Sequence, residues 1–131
     1  MISKGVKQLV KEADALIETI SVVDAKALLG DDGVQLVDIR DVRELERDGT
    51  IPGAFHAPRG MLEFWVDPDS PYYKEVFGSG KKFVFYCASA WRSALATKAV
   101  QEMGLTPVAQ LEGGFNKWKD QGFPIAERAK K

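Results

Sequence analysis

The stretch KFVFY, Lys82 to Tyr86, constrains the fold more than any other part of the chain. It is apolar with no polar alternation, so a strand built from it must be buried on both faces. Such a strand belongs inside a largely parallel sheet with helices packed above and below it. VQLVDIR (Val34 to Arg40) and PVAQL (Pro107 to Leu111) read as further strands, and a small one is expected near Phe55 to Ala57.

Helical segments fall between them. Val6, Leu9, Val10, Ala13, Leu16 and Ile17 recur at helical spacing and predict an amphipathic helix over 4–18, a packing element or a docking helix for a partner. Asp24 is the expected N-cap of a short helix running to Leu29 and closed by Gly30. Asp41 to Arg47 reads as a helical turn or two. MLEFWV and YYKEVF read as short aromatic-rich helical pieces on either side of the turn DPDSP. A longer helix starts near Arg92, with Ala96, Ala99, Val100 and Met103 on one face and Gly104 at its end. GFNKWKDQG supplies a last one, with Phe115 and Trp118 on its apolar face. The alternation predicts an α/β fold, a central and mostly parallel sheet with helices on both faces. The expected organisation is an N-terminal amphipathic helix over 1–19, a single domain over 20–126 and a short basic tail over 127–131.

Composition narrows the functional classes. With 131 residues and a formal charge of −1, the chain suits one domain without the basic bias of a nucleic-acid or membrane partner. It has one cysteine, so no internal disulfide can form. No stretch approaches the roughly 18 apolar residues that span a bilayer, and MISKGVKQLVKEADALIETI does not read as a signal peptide. A cytoplasmic protein is expected. His56 is the one histidine, and with no second Cys or His beside it neither a metal site nor a cofactor is indicated.

That single cysteine, Cys87, closes the central apolar run and is followed by Ala88, Ser89, Ala90, Trp91, Arg92 and Ser93. Ligands of such sheets bind at the carboxyl ends of the strands. A helix that begins there points unpaired N–H groups and the positive end of its dipole at the thiol, which favours the thiolate. Small residues let the backbone curl around the sulfur, and Arg92 adds a cation. A free cysteine also serves as an inert small hydrophobe. The loop composition and the arginine favour the reactive reading.

The loop CASAWRS resembles the active-site loop of rhodanese-type sulfurtransferases, a cysteine followed by four residues and then Arg and Ser or Thr. VDIRDVRELERDGTIPGAFHAP is similar to that family's Asp-x-Arg-x-x-x-Glu segment and Ile-Pro-Gly-Ala stretch. LEGGFNKWKDQGFPI is similar to its C-terminal Gly-Gly, Trp and Gly-x-Pro signature. The resemblance implies a rhodanese-like domain in which Cys87 takes the sulfane sulfur of a donor such as thiosulfate, carries it as a persulfide, and passes it to a thiol or cyanide. It implies a small sulfur-containing anion as donor and a thiol or protein sulfur acceptor. Residues 88–93 would form the anion-binding loop, and Asp38, Arg40 and Glu44 a supporting network. Gly113, Gly114 and Trp118 are assigned to turn geometry and packing. Trp91, with Phe64 or Trp65, is expected to form an apolar rim.

Two positions depart from the family pattern. Ala90 stands where glycine is usual, and Thr50 where histidine commonly precedes Ile-Pro-Gly. Two other functions stay open. Phosphatases or arsenate reductases of related fold place five residues between Cys and Arg, where four intervene here. A persulfide carrier or thiol redox sensor would need the same cysteine and no turnover.

Overall fold

In the computed structural model, which describes residues 1–128, the run Lys82–Tyr86 is the middle strand of five, β4. Beside it lie β2 (Val34–Asp38) and β5 (Val108–Leu111). The edges are β1 (Glu18–Ile20) and β3 (Phe55–His56), so the order is β1-β5-β4-β2-β3. Every pairing is parallel. Side chains of β4 alternate between two cores, as the pleat requires. Phe83, Phe85 and Cys87 enter one with Leu62, Ala96 and Val100; Val84 and Tyr86 enter the other with Val22, Phe115 and Trp118. Both faces are apolar because both are covered.

Helices α4 (Leu62–Val66) and α5 (Trp91–Glu102) cover the first face; α2 (Val22–Ala27) and α6 (Gly114–Asp120) cover the second. The remaining helices are α1 (Val6–Leu16) and α3 (Val42–Asp48). Val10 and Ala13 of α1 are buried against Ala94 of α5, so the apolar stripe of α1 is a packing face. The fold is the α/β architecture that the sequence predicts. No helix among the described residues is long and apolar enough to cross a membrane.

Several boundaries differ from expectation. The first helix stops at Leu16, and Glu18–Ile20 leaves it to pair with Ala109–Leu111 of β5. A three-residue edge strand has no periodicity of its own; the waiting edge of β5 defines it. The second helix is capped by Ser21, whose hydroxyl accepts the Asp24 N–H at 3.0 Å, so it begins before Asp24 and ends at Ala27. β2 stops at Asp38 rather than Arg40, and YYKEVF contributes only a 3-10 turn over Glu75–Gly78. The predicted basic tail lies outside the described residues from residue 129 onward.

Candidate active site

Cys87 follows β4 at the carboxyl end of the sheet and is 1% exposed. Four residues later the chain is already in α5, so the loop is short and tightly specified. Its tightest point is Ala90, with φ 71° and ψ 13°, the single non-glycine residue of positive φ among those described. The position that resembles a family glycine therefore does take left-handed geometry, with alanine in it. This turn brings the first turn of α5 back over the sulfur. The Ser93 N–H donates to Cys87 Sγ at 3.4 Å, and the thiol lies 3.6 Å from Ser93 Oγ.

The back of the loop is held by α6. Phe115 N–H donates to the Cys87 carbonyl at 2.8 Å and Asn116 N–H to the Ala88 carbonyl at 3.0 Å. In a trans peptide the N–H opposes the C=O, so the N–H groups of Ala88 and Ser89 point away from α6. Those N–H groups have no protein acceptor among the described residues. This close approach demands Gly114: at φ +65°, a Cβ there would lie 2.5 Å from the Cys87 carbonyl oxygen and 2.7 Å from that of Ala88.

The residues expected to support the loop form two groups. Asp38 and Arg40 are a buried ion pair, with Arg40 Nη2 2.8 Å from Asp38 Oδ2 and 2.7 Å from the Gly49 carbonyl. The Arg40 guanidinium also lies over the Phe115 ring at 4.2 Å, beneath the helix that holds the loop. Thr50 completes this group. Its hydroxyl donates to Asp38 Oδ2 at 3.1 Å, because a carboxylate only accepts. Tyr86 must then donate to Thr50 Oγ1 at 2.8 Å, while its oxygen accepts the Ile51 N–H at 3.1 Å. Burial, followed by the charge of Asp38, pushes the Tyr86 phenol far up, so it stays a neutral donor.

Glu44 belongs elsewhere. It grips Arg92 through Oε1 at 2.7 Å and Oε2 at 3.1 Å, and also accepts the Asp41 N–H in a capping box at the start of α3. Arg92 is raised above its ordinary value, first by this hydrogen bond to Glu44 and in smaller part by Cys87. Glu44 is correspondingly held below the usual carboxylate range, the Arg92 hydrogen bond being the main cause. The guanidinium is thus charged and tethered to α3.

The expected rim is not assembled. Phe64 packs edge-on against Tyr72, and Trp65 against Phe55, whereas Trp91, 46% exposed, lines a cleft of about 410 Å³ with Val10, Asp14, Ser89 and Ala90. The α4 aromatics are drawn to their own cluster, and α1 occupies the side of the loop where Trp91 lies. His56 turns its Nε2 to the Arg40 carbonyl at 2.7 Å. Among the described residues no group of three His, Cys, Asp or Glu side chains could hold a metal.

Sequence reasoning missed Gln110. It is 3% exposed on β5, accepts a hydrogen bond from the Ser93 hydroxyl at 2.9 Å, and reaches Asp14 at 2.7 Å. The available signal was a polar residue inside PVAQL, since a strand buried on both faces must give such a side chain partners.

Comparison with known proteins matches residues 21–121 to the family described as Rhodanese-like domain. The chain is 27% identical to a human thiosulfate:glutathione sulfurtransferase, over 79% of this chain and 94% of that one. It is 30% identical to a sulfurtransferase of Allochromatium vinosum, over 77% and 86%. Among solved structures, a Rhodopseudomonas palustris protein described as of unknown function and a possible tyrosine phosphatase superposes with a TM-score of 0.94 at 57% identity, covering 96% of this chain and 97% of that one. The polysulfide-sulfur transferase homodimer of Wolinella succinogenes gives a TM-score of 0.70 at 33% identity, covering 94% and 88%.

Proposed function

The chain belongs to the rhodanese-like domain family, and from that membership we propose that it is a sulfurtransferase whose sulfur carrier is Cys87. The observation that supports this reading best is the cradle: a lone buried thiol at the start of a short loop, with the Ala88 and Ser89 amides directed off α6 and Arg92, ion-paired with Glu44, in the first turn of α5.

In the first step the Cys87 thiolate attacks the outer sulfur of a sulfane donor such as thiosulfate. A new S–S bond forms to Cys87, the donor's S–S bond breaks, and sulfite leaves with the bonding pair. In the second step an acceptor thiolate attacks the outer sulfur of the persulfide, and the Cys87 thiolate leaves with its electrons. Both steps place negative charge inside the loop. Fixed N–H groups stabilise such charge without reorganising, which is where their catalytic value lies. Arg92 orients an anionic donor at the mouth, and Glu44 sets the direction of its guanidinium. Asp38, Arg40, Thr50 and Tyr86 brace the floor and take no part in bond changes.

Intact mass after exposure to thiosulfate tests the proposal. The native protein gains one sulfur, mapped to Cys87, and Cys87→Ser gains none while keeping its circular dichroism. A sulfur-free native protein, or transfer activity persisting in Cys87→Ser, would overturn it.

The phosphatase description of the Rhodopseudomonas palustris structure favours a second reading. Against it stands the loop, with four residues between Cys87 and Arg92, a ring better sized for a sulfur atom than for a tetrahedral oxyanion. Hydrolysis of an aryl phosphate, lost in Cys87→Ser, would decide for the phosphatase.

A further inference from the structure

We infer that Asp14, on a helix outside the residues that match the family, is a positioning residue for the site: through Gln110 it fixes which way the Ser93 hydroxyl faces Cys87. The functional weight of the inference rests on Cys87 being the sulfur carrier; its geometry does not.

The chain of contacts runs inward from the surface. Asp14 is exposed on α1, and its Oδ1 accepts from Gln110 Nε2 at 2.7 Å. The same amide nitrogen donates to Thr19 Oγ1 at 3.3 Å, which occupies its second hydrogen. Gln110 Oε1 accepts from Ser93 Oγ at 2.9 Å, and Ser93 Oγ lies 3.6 Å from Cys87 Sγ. A carboxylate accepts and never donates, so the Gln110 nitrogen must face Asp14 and its carbonyl must face Ser93. The inverted amide would press two oxygens together with no hydrogen between them.

Ser93 has one hydroxyl hydrogen, and this arrangement commits it to Gln110. What Ser93 Oγ turns toward the sulfur is a lone pair. That lone pair suits a thiol donating its proton and opposes a thiolate. The Ser93 N–H donates to the sulfur in either state. Removing the carboxylate frees Gln110 to invert, whereupon its nitrogen faces Ser93 and the hydroxyl can swing to the sulfur as a donor. Asp14 therefore sets the balance between thiol and thiolate from the protein surface, two residues away in the contact chain.

The other charged groups around the relay are engaged elsewhere. Arg92 of α5 is held by Glu44 of α3, and the Asp38–Arg40 pair is self-neutralising. Glu112, across the cleft, is paired with Lys117 of α6. Glu12 of α1 is paired with Lys4, and Glu18 of β1 with Lys82 of β4. None of these side chains bonds to Gln110 among the described residues.

The test is a titration of the sulfur by ultraviolet thiolate absorbance in the full chain, taken as the difference from Cys87→Ser. Asp14→Ala is expected to move the midpoint toward acid by about half to one pH unit, the size of one hydrogen bond gained by the thiolate. In a Ser93→Ala background the same substitution is expected to move nothing, because there is no hydroxyl left to turn. Asp14→Ala without an acid shift overturns the inference. So does an equal shift in both backgrounds, since Asp14 would then act through its charge alone. No sulfur donor enters the measurement. Failure of the native protein to load sulfur from thiosulfate would therefore strike the sulfurtransferase reading and leave this result standing.

Discussion

Ala90 carries a side chain at φ 71°, where glycine sits without cost and an L-residue loses roughly 1–2 kcal/mol. Ala90→Gly relieves that strain while adding about 0.4–1 kcal/mol of entropy to the unfolded chain. The expected outcome is a denaturation free energy unchanged or higher by up to about 1.6 kcal/mol, with sulfur loading from thiosulfate as fast as native or faster. A glycine variant that is both slower and less stable would show that the loop depends on the methyl group. At Glu44 the expectation concerns pH. Arg92 holds this carboxylate below its ordinary range, so the pair contributes stability above the unfolded value and loses it as pH falls through the folded value. In melts across pH, the gap between native protein and Glu44→Gln should close in acid; a gap constant to the acid limit would show that the pair contributes nothing. At this scale the sequence was informative where a residue breaks a local rule. Cys87 stood out in the loop, and the resemblance marked position 90 as one where glycine is usual; that Ala90 takes positive φ is a fact of the backbone. Asp14 did not stand out, because an acidic residue on a helix surface is unremarkable until Gln110 arrives beside it.

Elements meet at the loop through backbone contacts, and α6 makes the closest one. Gly114→Ala puts a methyl into the carbonyls of Cys87 and Ala88 in a conformation already unfavourable for alanine. The strain and the overlap together cost roughly 2–4 kcal/mol, and the loop must move to relieve them. Urea denaturation should show that loss alongside reduced sulfur loading; full loading at unchanged stability would mean α6 does not set the loop. The second brace joins β4 to the Ile-Pro-Gly turn. Tyr86→Phe leaves the buried Ile51 N–H without its acceptor, an expected loss of about 1–3 kcal/mol read from the same experiment. The elements around the cysteine loop were legible, β4 as an unbroken apolar run and α5 by apolar residues at helical spacing. β4 matches its predicted bounds, α5 and β5 fall within a residue of theirs, and α1 is two residues shorter at each end than its 4–18. The elements that depend on their neighbours were not legible. Ser21 and Asp24 are both competent caps three residues apart, and only packing of Val22 into the core selects the first. Glu18–Ile20 becomes a strand because β5 offers it an edge. The Gly-Gly signature reads in the sequence as turn geometry and packing, and its distance to the Cys87 carbonyl is a tertiary fact.

At the scale of the molecule, the sheet order places the first strand beside the last, with Thr19 opposite Gln110. That adjacency has a consequence for how the protein is made. Contacts between segments so far apart in sequence carry a large loop-closure entropy and slow folding. During synthesis β1 has no partner until β5 emerges, and the carbonyls of Cys87 and Ala88 have no donors until α6 follows it. A nascent chain that ends at α5 lacks the two α6 hydrogen bonds that hold the back of the cysteine loop. The loop around Cys87 therefore takes its final shape only after Gly114–Asp120 has been made, well after the cysteine itself.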